Sequence, residues 1–476
     1  MNRRDGRTHD AVNYYASIEA VVDDGGPARF QTVIIDAVPK TAVAAMKQLG
    51  YEQIIEDLNS HFPVLLLKAV LPSRVAGALV DNPGWVELSI GTERPANEES
   101  FEASAISFGD GEDEGAQPTF WVTVKSSALA KRNLSALAAL SKFQAVADAS
   151  QQDLQQFDCA HRAAGVAVYD VGQANMSALV DGAEHPLMFF DLGWPLPFFS
   201  KSYRVGGAFE PLDADLQRER AQPVVLSHLD WDHWGFAYKS GRARYDSKKE
   251  HWLTEVVYKQ EALQRPWLIR RPKFHRHKLT ATHIHFVLEL SRTRQPDGRN
   301  VLNFWPANRA KIAFRNYSIV RCSPPERMTL IRASYLRNNE SLVLLAQLKG
   351  HEARVLLTGD ADYPSIPRYC RNDLTGIVAP HHGGAITDLS TPQAGNNGLM
   401  VRSTFPGCYR SVPSEDAEGE AVISGWQISS THERASCVHG CCYHGNRLIP
   451  LVHRSSRRFI PRCSCGVVPA TGLCLN

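Results

Sequence analysis

Residues 223 to 235 read PVVLSHLDWDHWG, an apolar run Val224, Val225, Leu226 leading straight into His228, Asp230, Asp232 and His233. A short apolar run of this kind is a strand of a buried sheet, and here it delivers metal-ligand side chains to the loop at its end. His228 and Asp230, two residues apart, point to one side, while Asp232 and His233 turn to a second point. The loop therefore has the donors for two cations side by side. A helix N-cap would account for one aspartate, not for four ligand residues between His228 and His233.

Working outward, later segments repeat the arrangement. RVLLTGDAD, Arg354 to Asp362, is an apolar strand that ends in Gly and then Asp360, and IVAPHHGG, Ile377 to Gly384, leads His381 and His382 out of another. Upstream, GVAVYDVGQANMSALVDG from Gly165 reads as two strands around a Gly-Gln turn, and PLMFFDLG runs a further strand into Asp191. The catalytic domain is expected to begin about Gly165.

These motifs carry a family likeness. SHLDWDHWG resembles the HxHxDH signature of metallo-β-lactamase-fold hydrolases, with Asp230 in place of the middle His. Together with DVGQ (Asp170 to Gln173), RNNESLVLL (Arg337 to Leu345), RVLLTGDAD and IVAPHHGG, it forms an ordered series similar to the ComEC-type branch, the catalytic domain attached to bacterial DNA-uptake channels. The resemblance spans residues 165 to 430 and implies an α/β fold, the αββα four-layer sandwich. It also implies two divalent ions, Mn²⁺ or Zn²⁺, with Mg²⁺ as a further choice. Carried across, His228 and Asp230 would hold the first metal, Asp232, His233 and His381 the second, and Asp360 would bridge them.

Two departures refine this. Asn338 or Asn339 stands where the wider superfamily has a separate His, which leaves the first site poor in imidazole and favours harder ions such as Mn²⁺ or Mg²⁺. Asn339 and Ser341 are expected to position substrate. After the His pair, ComEC-like sequences show a Tyr-Gly-His-Pro block; this chain has GCYRSVPSED from Gly407, without the His. His382 becomes the expected proton donor to a leaving group, with Asp232 as the other catalytic residue.

The N-terminal part reads β-α-β-α-β, with FQTVIIDAV near Phe30, a helix from Pro39, PVLLLKAVL from Pro63, a helix from Pro72 and WVELSIG from Trp85. VLPSRVAGALVDNPGWVELS resembles the closing half of a subtilisin-type propeptide domain, which implies a small α+β, ferredoxin-like module over residues 1–97 and a protease partner. Residues 98–118 are acidic and read as a linker, 119–164 as a connecting strand and helix, and 431–476 as a Cys-rich tail. That tail holds six of the ten cysteines, too few and too clustered for a disulfide scaffold, and its spacing lacks a paired CxxC zinc module.

The whole chain has 476 residues, 43% of them hydrophobic, enough for two or three domains with a sizeable core. Its polar start and lack of a long apolar run exclude a secretory signal and a membrane-spanning helix, so a cytoplasmic protein without membrane attachment is expected. Net charge is +2, yet residues 239–315 hold 18 Lys and Arg against 6 Asp and Glu. This basic insert is expected to rim the site and bind a nucleic-acid backbone, and its large aromatics Trp252, Trp267 and Phe274 are expected to form its small core in preference to stacking on bases. The pairs His275/His277 and His283/His285 lack a third ligand and are not expected to bind metal.

The expected function is a divalent-metal-dependent hydrolase, a nuclease or phosphodiesterase using metal-activated water. The alternatives are a small-molecule metallohydrolase, and a defence or stress effector whose N-terminal module, acted on by a protease, controls the nuclease.

Overall fold

A computed structural model describes residues 11–20, 29–45, 62–80, 85–107, 117–129, 131–143, 146–158, 162–195, 221–326, 333–404, 412–433, 435–436, 443–452 and 457–458. Strands dominate. The chain forms two compact units, one of residues 1–145, 238–258 and 272–292, the other of 146–237, 259–271 and 293–476.

In the first unit, six strands close a barrel in the order Val12–Ala20, Phe30–Pro39, Leu65–Pro72, Phe101–Ala105, Thr119–Ser126, Val86–Gly91, and the last pairs back with the first. Alternation places Tyr14, Ala16, Ile18, Val33, Ile35, Leu65, Leu67, Leu88, Phe120 and Val122 in one core. A hairpin of Tyr238–Asp246 and His251–Tyr258 belongs to this unit. Tyr14 Oη donates to the Trp252 carbonyl at 2.9 Å and accepts from the Trp252 amide at 3.0 Å, while the Trp252 ring meets Phe120 edge-on. Helix Ala281–Arg292 is tied in by buried Asp36, which accepts from the Thr282 amide at 3.0 Å.

This barrel corrects the ferredoxin-like expectation. The strands read near Phe30, Pro63 and Trp85 are present, but Val12–Ala20, Phe101–Ala105 and Thr119–Ser126 join them and close the sheet. The expected linker 98–118 therefore contains a barrel strand, stabilised by pairing on both sides that composition alone does not show. Residues 239–315 are likewise not one insert, because they alternate between the two units. Trp267 and Phe274 are core residues, as expected, although they belong to different units rather than to one insert core. Trp267 is fully buried and Phe274 lies against Trp85 at 6.0 Å between ring centroids.

In the second unit, one sheet has eight strands ordered Leu302–Phe304, Trp267–Ile269, Val224–Leu226, Pro186–Leu192, Met176–Val180, Gly165–Val168, Arg447–Pro450, Arg457–Arg458. The other has seven, ordered Lys311–Ala313, Tyr317–Arg321, Leu342–Gln347, Arg354–Leu357, Leu374–Val378, Ala394–Arg402, Gln427–Ser430. Their facing sides share a core: Val166, Val168, Phe190, Val225 and Leu268 from the first, Ile319, Leu344, Val355, Leu357, Val378 and Val401 from the second. Residues of opposite parity on the second sheet, Val343, Leu345, Leu356 and Ile377, bury against Tyr363, Ile366, Ala421 and Trp426.

The αββα four-layer sandwich is overturned by this architecture. The chain is mostly β, and among the described residues the helices of the second unit run from Gln151–Leu154, four residues, to Glu415–Ile423, nine. Helices so short and so few do not make a layer on either side of a sheet. The four-layer expectation came from the motif likeness, and the motifs sit at strand ends, where they carry no information about what covers the outer faces.

Candidate metal centre

The residues singled out at strand ends converge where the carboxyl ends of parallel-paired strands from the two facing sheets meet. Val224–Leu226 lies between Pro186–Leu192 and Trp267–Ile269, and Arg354–Leu357 runs parallel to Leu374–Val378. Parallel strands open their carboxyl ends on one side, where loops build a site. Ser227 and His228 follow the first strand, Thr358 to Asp360 the second and Pro380 to His382 the third.

Tight backbone contacts hold these loops together. The Asn175 amide donates to the Asp232 carbonyl at 2.9 Å, and the Gly193 amide donates to the Asn175 carbonyl at 2.9 Å. A Cβ at position 193 would lie 1.9 Å from the Asp232 oxygen, so only glycine fits. Gly359, at φ +55°, brings the Asp360 loop against Ser227, whose Cβ would stand 2.6 Å from a side chain there. His381 and His382 both adopt left-handed backbone, φ 49° and 57°, a conformation that costs non-glycine residues about 1–2 kcal/mol each and is concentrated at functional sites.

Asp360 is the centre of the arrangement. Its Oδ1 faces His233 Nε2 at 3.1 Å, Asn175 Nδ2 at 3.0 Å and His382 Nε2 at 4.0 Å. Its Oδ2 faces His228 Nε2 at 3.9 Å, His381 Nε2 at 3.9 Å and Asn338 Nδ2 at 3.4 Å. One carboxylate thus presents an oxygen to each of two lobes. On the Oδ1 side, Asp232 completes the inner lobe, 3.0 Å from His382 Nε2 and 3.9 Å from His233 Nε2. On the Oδ2 side, Asp230 Oδ2 is 3.2 Å from His228 Nε2.

Among the described residues, two triplets have donor atoms all within 4.8 Å of one another: His228, His233 and Asp360, and Asp232, His233 and His382. His382, buried, therefore takes the place beside Asp232 and His233 that the family carry-over gave to His381. The His381 side chain is 49% exposed. Asn339 and Ser341 are buried and serve the scaffold. Asn339 Oδ1 accepts from the Asp362 amide at 2.9 Å, and the Ser341 carbonyl accepts from the Cys322 amide at 2.9 Å. Asp170 of DVGQ is also scaffold, accepting from the Gly445 amide at 2.9 Å. The histidine pairs are satisfied locally, His285 Nδ1 by Tyr258 Oη at 2.7 Å and His277 Nδ1 by the Lys273 amide at 3.2 Å. The cysteines of the tail, and Gly407 to Arg410, lie outside the described residues.

Sequence reasoning missed two supports. Asp191, fully buried, lies 2.8 Å from His233 Nδ1 and accepts from the Ser227 amide at 2.7 Å and hydroxyl at 2.8 Å. This orients His233 with Nε2 toward Asp360, the way a carboxylate holds a metal-ligating imidazole. Asn175 is the second, with its amide between Asp360 and His233 Nε2.

The electrostatics suit a cation. Burial pushes His233 down, but the Asp360 and Asp191 carboxylates outweigh it and hold the imidazole well above its ordinary value. Burial likewise opposes charge on His382, and the Asp232 hydrogen bond with the Asp360 charge raises it. Burial works against an ionised Asp360, yet His233, His381 and His382 hold its carboxyl well below the usual range. A buried carboxylate whose charge is balanced by surrounding imidazoles is a place where a dication can displace the protons. The donor set, imidazole nitrogens and carboxylate oxygens at loop ends, fits a divalent ion. No protein-family model and no curated protein sequence matches this chain.

Proposed function

We propose that this chain is a divalent-metal-dependent hydrolase acting on phosphodiesters, with nucleic acid as the first substrate class to test. The observation that carries the reading is Asp360, whose two oxygens face two His-containing lobes within one buried cluster. The ordered motif series, similar to the ComEC-type branch, supports the same reaction class, and the excess of Lys and Arg in residues 239–315 favours a polyanionic substrate.

Asp232, His233, His382 and Asp360 would hold an ion in the inner lobe, and His228, Asp230 and His381 border the outer one. With three imidazoles in the two triplets, Zn²⁺ competes with Mn²⁺ more evenly than the imidazole-poor set read from sequence implies. A bound dication supplies a water acidic enough to give hydroxide near neutral pH. The chain's own groups do the rest. Asp191 and Ser227 fix the ring of His233, and Asn175 fixes Asp360. His381 is the imidazole of the pair that reaches solvent, and it takes the proton-donating role expected of His382.

The test is cleavage of labelled single- and double-stranded DNA and RNA with Mn²⁺, Mg²⁺ or Zn²⁺, comparing wild type with Asp232→Ala plus His233→Ala. Metal-dependent cutting that disappears in the variant is the expected result. Intact nucleic acids and phosphodiesters alongside hydrolysis of a small ester or lactam would move the substrate to the small-molecule class.

A further inference from the structure

Arg337 lies in the short helix Ala333–Asn339 and is 7% exposed. Its Nε pairs with Asp230 Oδ1. The other oxygen of Asp230 is 3.2 Å from His228 Nε2, and His228 Nε2 is 3.9 Å from Asp360 Oδ2. The guanidinium thus stands at the outer end of a line of groups that runs into the metal centre.

A guanidinium is protonated at every accessible pH and its planar donors match a carboxylate. It therefore competes with a cation for Asp230 and leaves a fixed positive charge where a second dication would have to settle. The ligand geometry agrees. Both converging triplets omit Asp230, although it is the one carboxylate that belongs to the outer lobe alone.

We infer that Arg337 takes the place of a second cation, holding Asp230 out of the coordination sphere so that the centre retains one tightly bound ion. This rests on the metal-centre reading above and specifies its stoichiometry. The motif likeness alone would give two ions, because the Asp at position 230 counts as a ligand there and its partner is invisible.

The experiment is equilibrium dialysis of the full chain against Mn²⁺, with metal content by mass spectrometry and the electron paramagnetic resonance spectrum as a second readout. Mn²⁺ is the probe because cysteine thiolates elsewhere in the chain would take up Zn²⁺. Wild type is expected to hold about one ion with the signal of isolated Mn²⁺, and Arg337→Met about two with an exchange-coupled signal. Arg337→Lys, which keeps the charge, is expected to stay near one. Asp230→Asn, alone, is expected to leave the wild-type content unchanged, and this variant decides the question if Arg337→Met does not fold. Two ions in the wild type, or one ion lost on Asp230→Asn, overturns the inference while leaving the metal-centre reading intact. A folded Arg337→Met that still holds one ion overturns it too. No ion in the wild type removes the metal reading itself, and this inference with it.

Discussion

Two neighbouring histidines with the same unusual backbone conformation have different surroundings, and the difference assigns their work. His382 is buried, its Nε2 3.0 Å from Asp232 and its Nδ1 3.1 Å from the Ser403 carbonyl, so its ring orientation is fixed from both ends. His381 Nε2 lies 3.9 Å from Asp360, and half of the side chain faces solvent. His382→Ala is accordingly expected to lose bound metal and activity together. His381→Ala is expected to keep its metal while the hydrolytic rate falls by about 100-fold, the scale of a general acid. Metal content and kcat measured on both variants check this; equal metal loss in the two would make the pair equivalent ligands. His228, Asp232, His233 and Asp360 were legible because each follows an apolar strand, a context that random surface ligands lack. The order of His381 and His382 was not, since it depends on consecutive left-handed residues that reverse which ring points inward. Asp191 and Asn175 carried a weaker signal. Each ends a strand or turn beside the motifs, and Gly193, two residues after Asp191, marks a close backbone approach.

At the scale of elements, Asp36 couples the strand Phe30–Pro39 to helix Ala281–Arg292 across 246 residues of chain. Burial raises its pKa to about 6, against the lowering effect of hydrogen bonds from Thr280 and Thr282. A carboxyl whose folded pKa lies above its unfolded value contributes stability below the unfolded value, and that contribution fades as pH rises through the folded one. The first unit is therefore expected to lose about 2–3 kcal/mol between pH 4 and pH 6 from this group. Asp36→Asn, which cannot ionise, is expected to flatten that part of the curve in denaturant titrations at several pH values. An unchanged slope would mean that Asp36 ionises freely in the folded chain. Element identity was readable where alternation or buried runs were strong, as in Phe30–Pro39, Leu65–Pro72 and Val86–Gly91. Barrel closure was not readable, because Phe101–Ala105 follows an acidic stretch and gains its strand character from partners 34 to 38 residues before it and 15 to 21 after it.

For the whole molecule, the two units are interleaved along the chain, and this limits where it can be cut. The motif likeness begins near Gly165, yet the second unit begins at Val146, and Leu154, Phe157 and Ala163 lie in its core. A chain starting at Gly165 loses those side chains, and burying each large apolar group is worth about 1.5–3 kcal/mol. It also keeps residues 238–258 and 272–292 without the barrel they belong to. Ala243 and Trp252 pack against the barrel core, and Phe274 stacks on Trp85, so removal of the barrel uncovers all three. The short chain is expected to aggregate and to bind a hydrophobic dye. A chain starting at Val146, with 238–258 and 272–292 each replaced by a brief Gly-Ser link, is expected to stay soluble and melt in one transition. Dye binding and calorimetry on the three chains check this. A chain from Gly165 as stable as the full length would show that the hairpin and the helical excursion stand without the barrel.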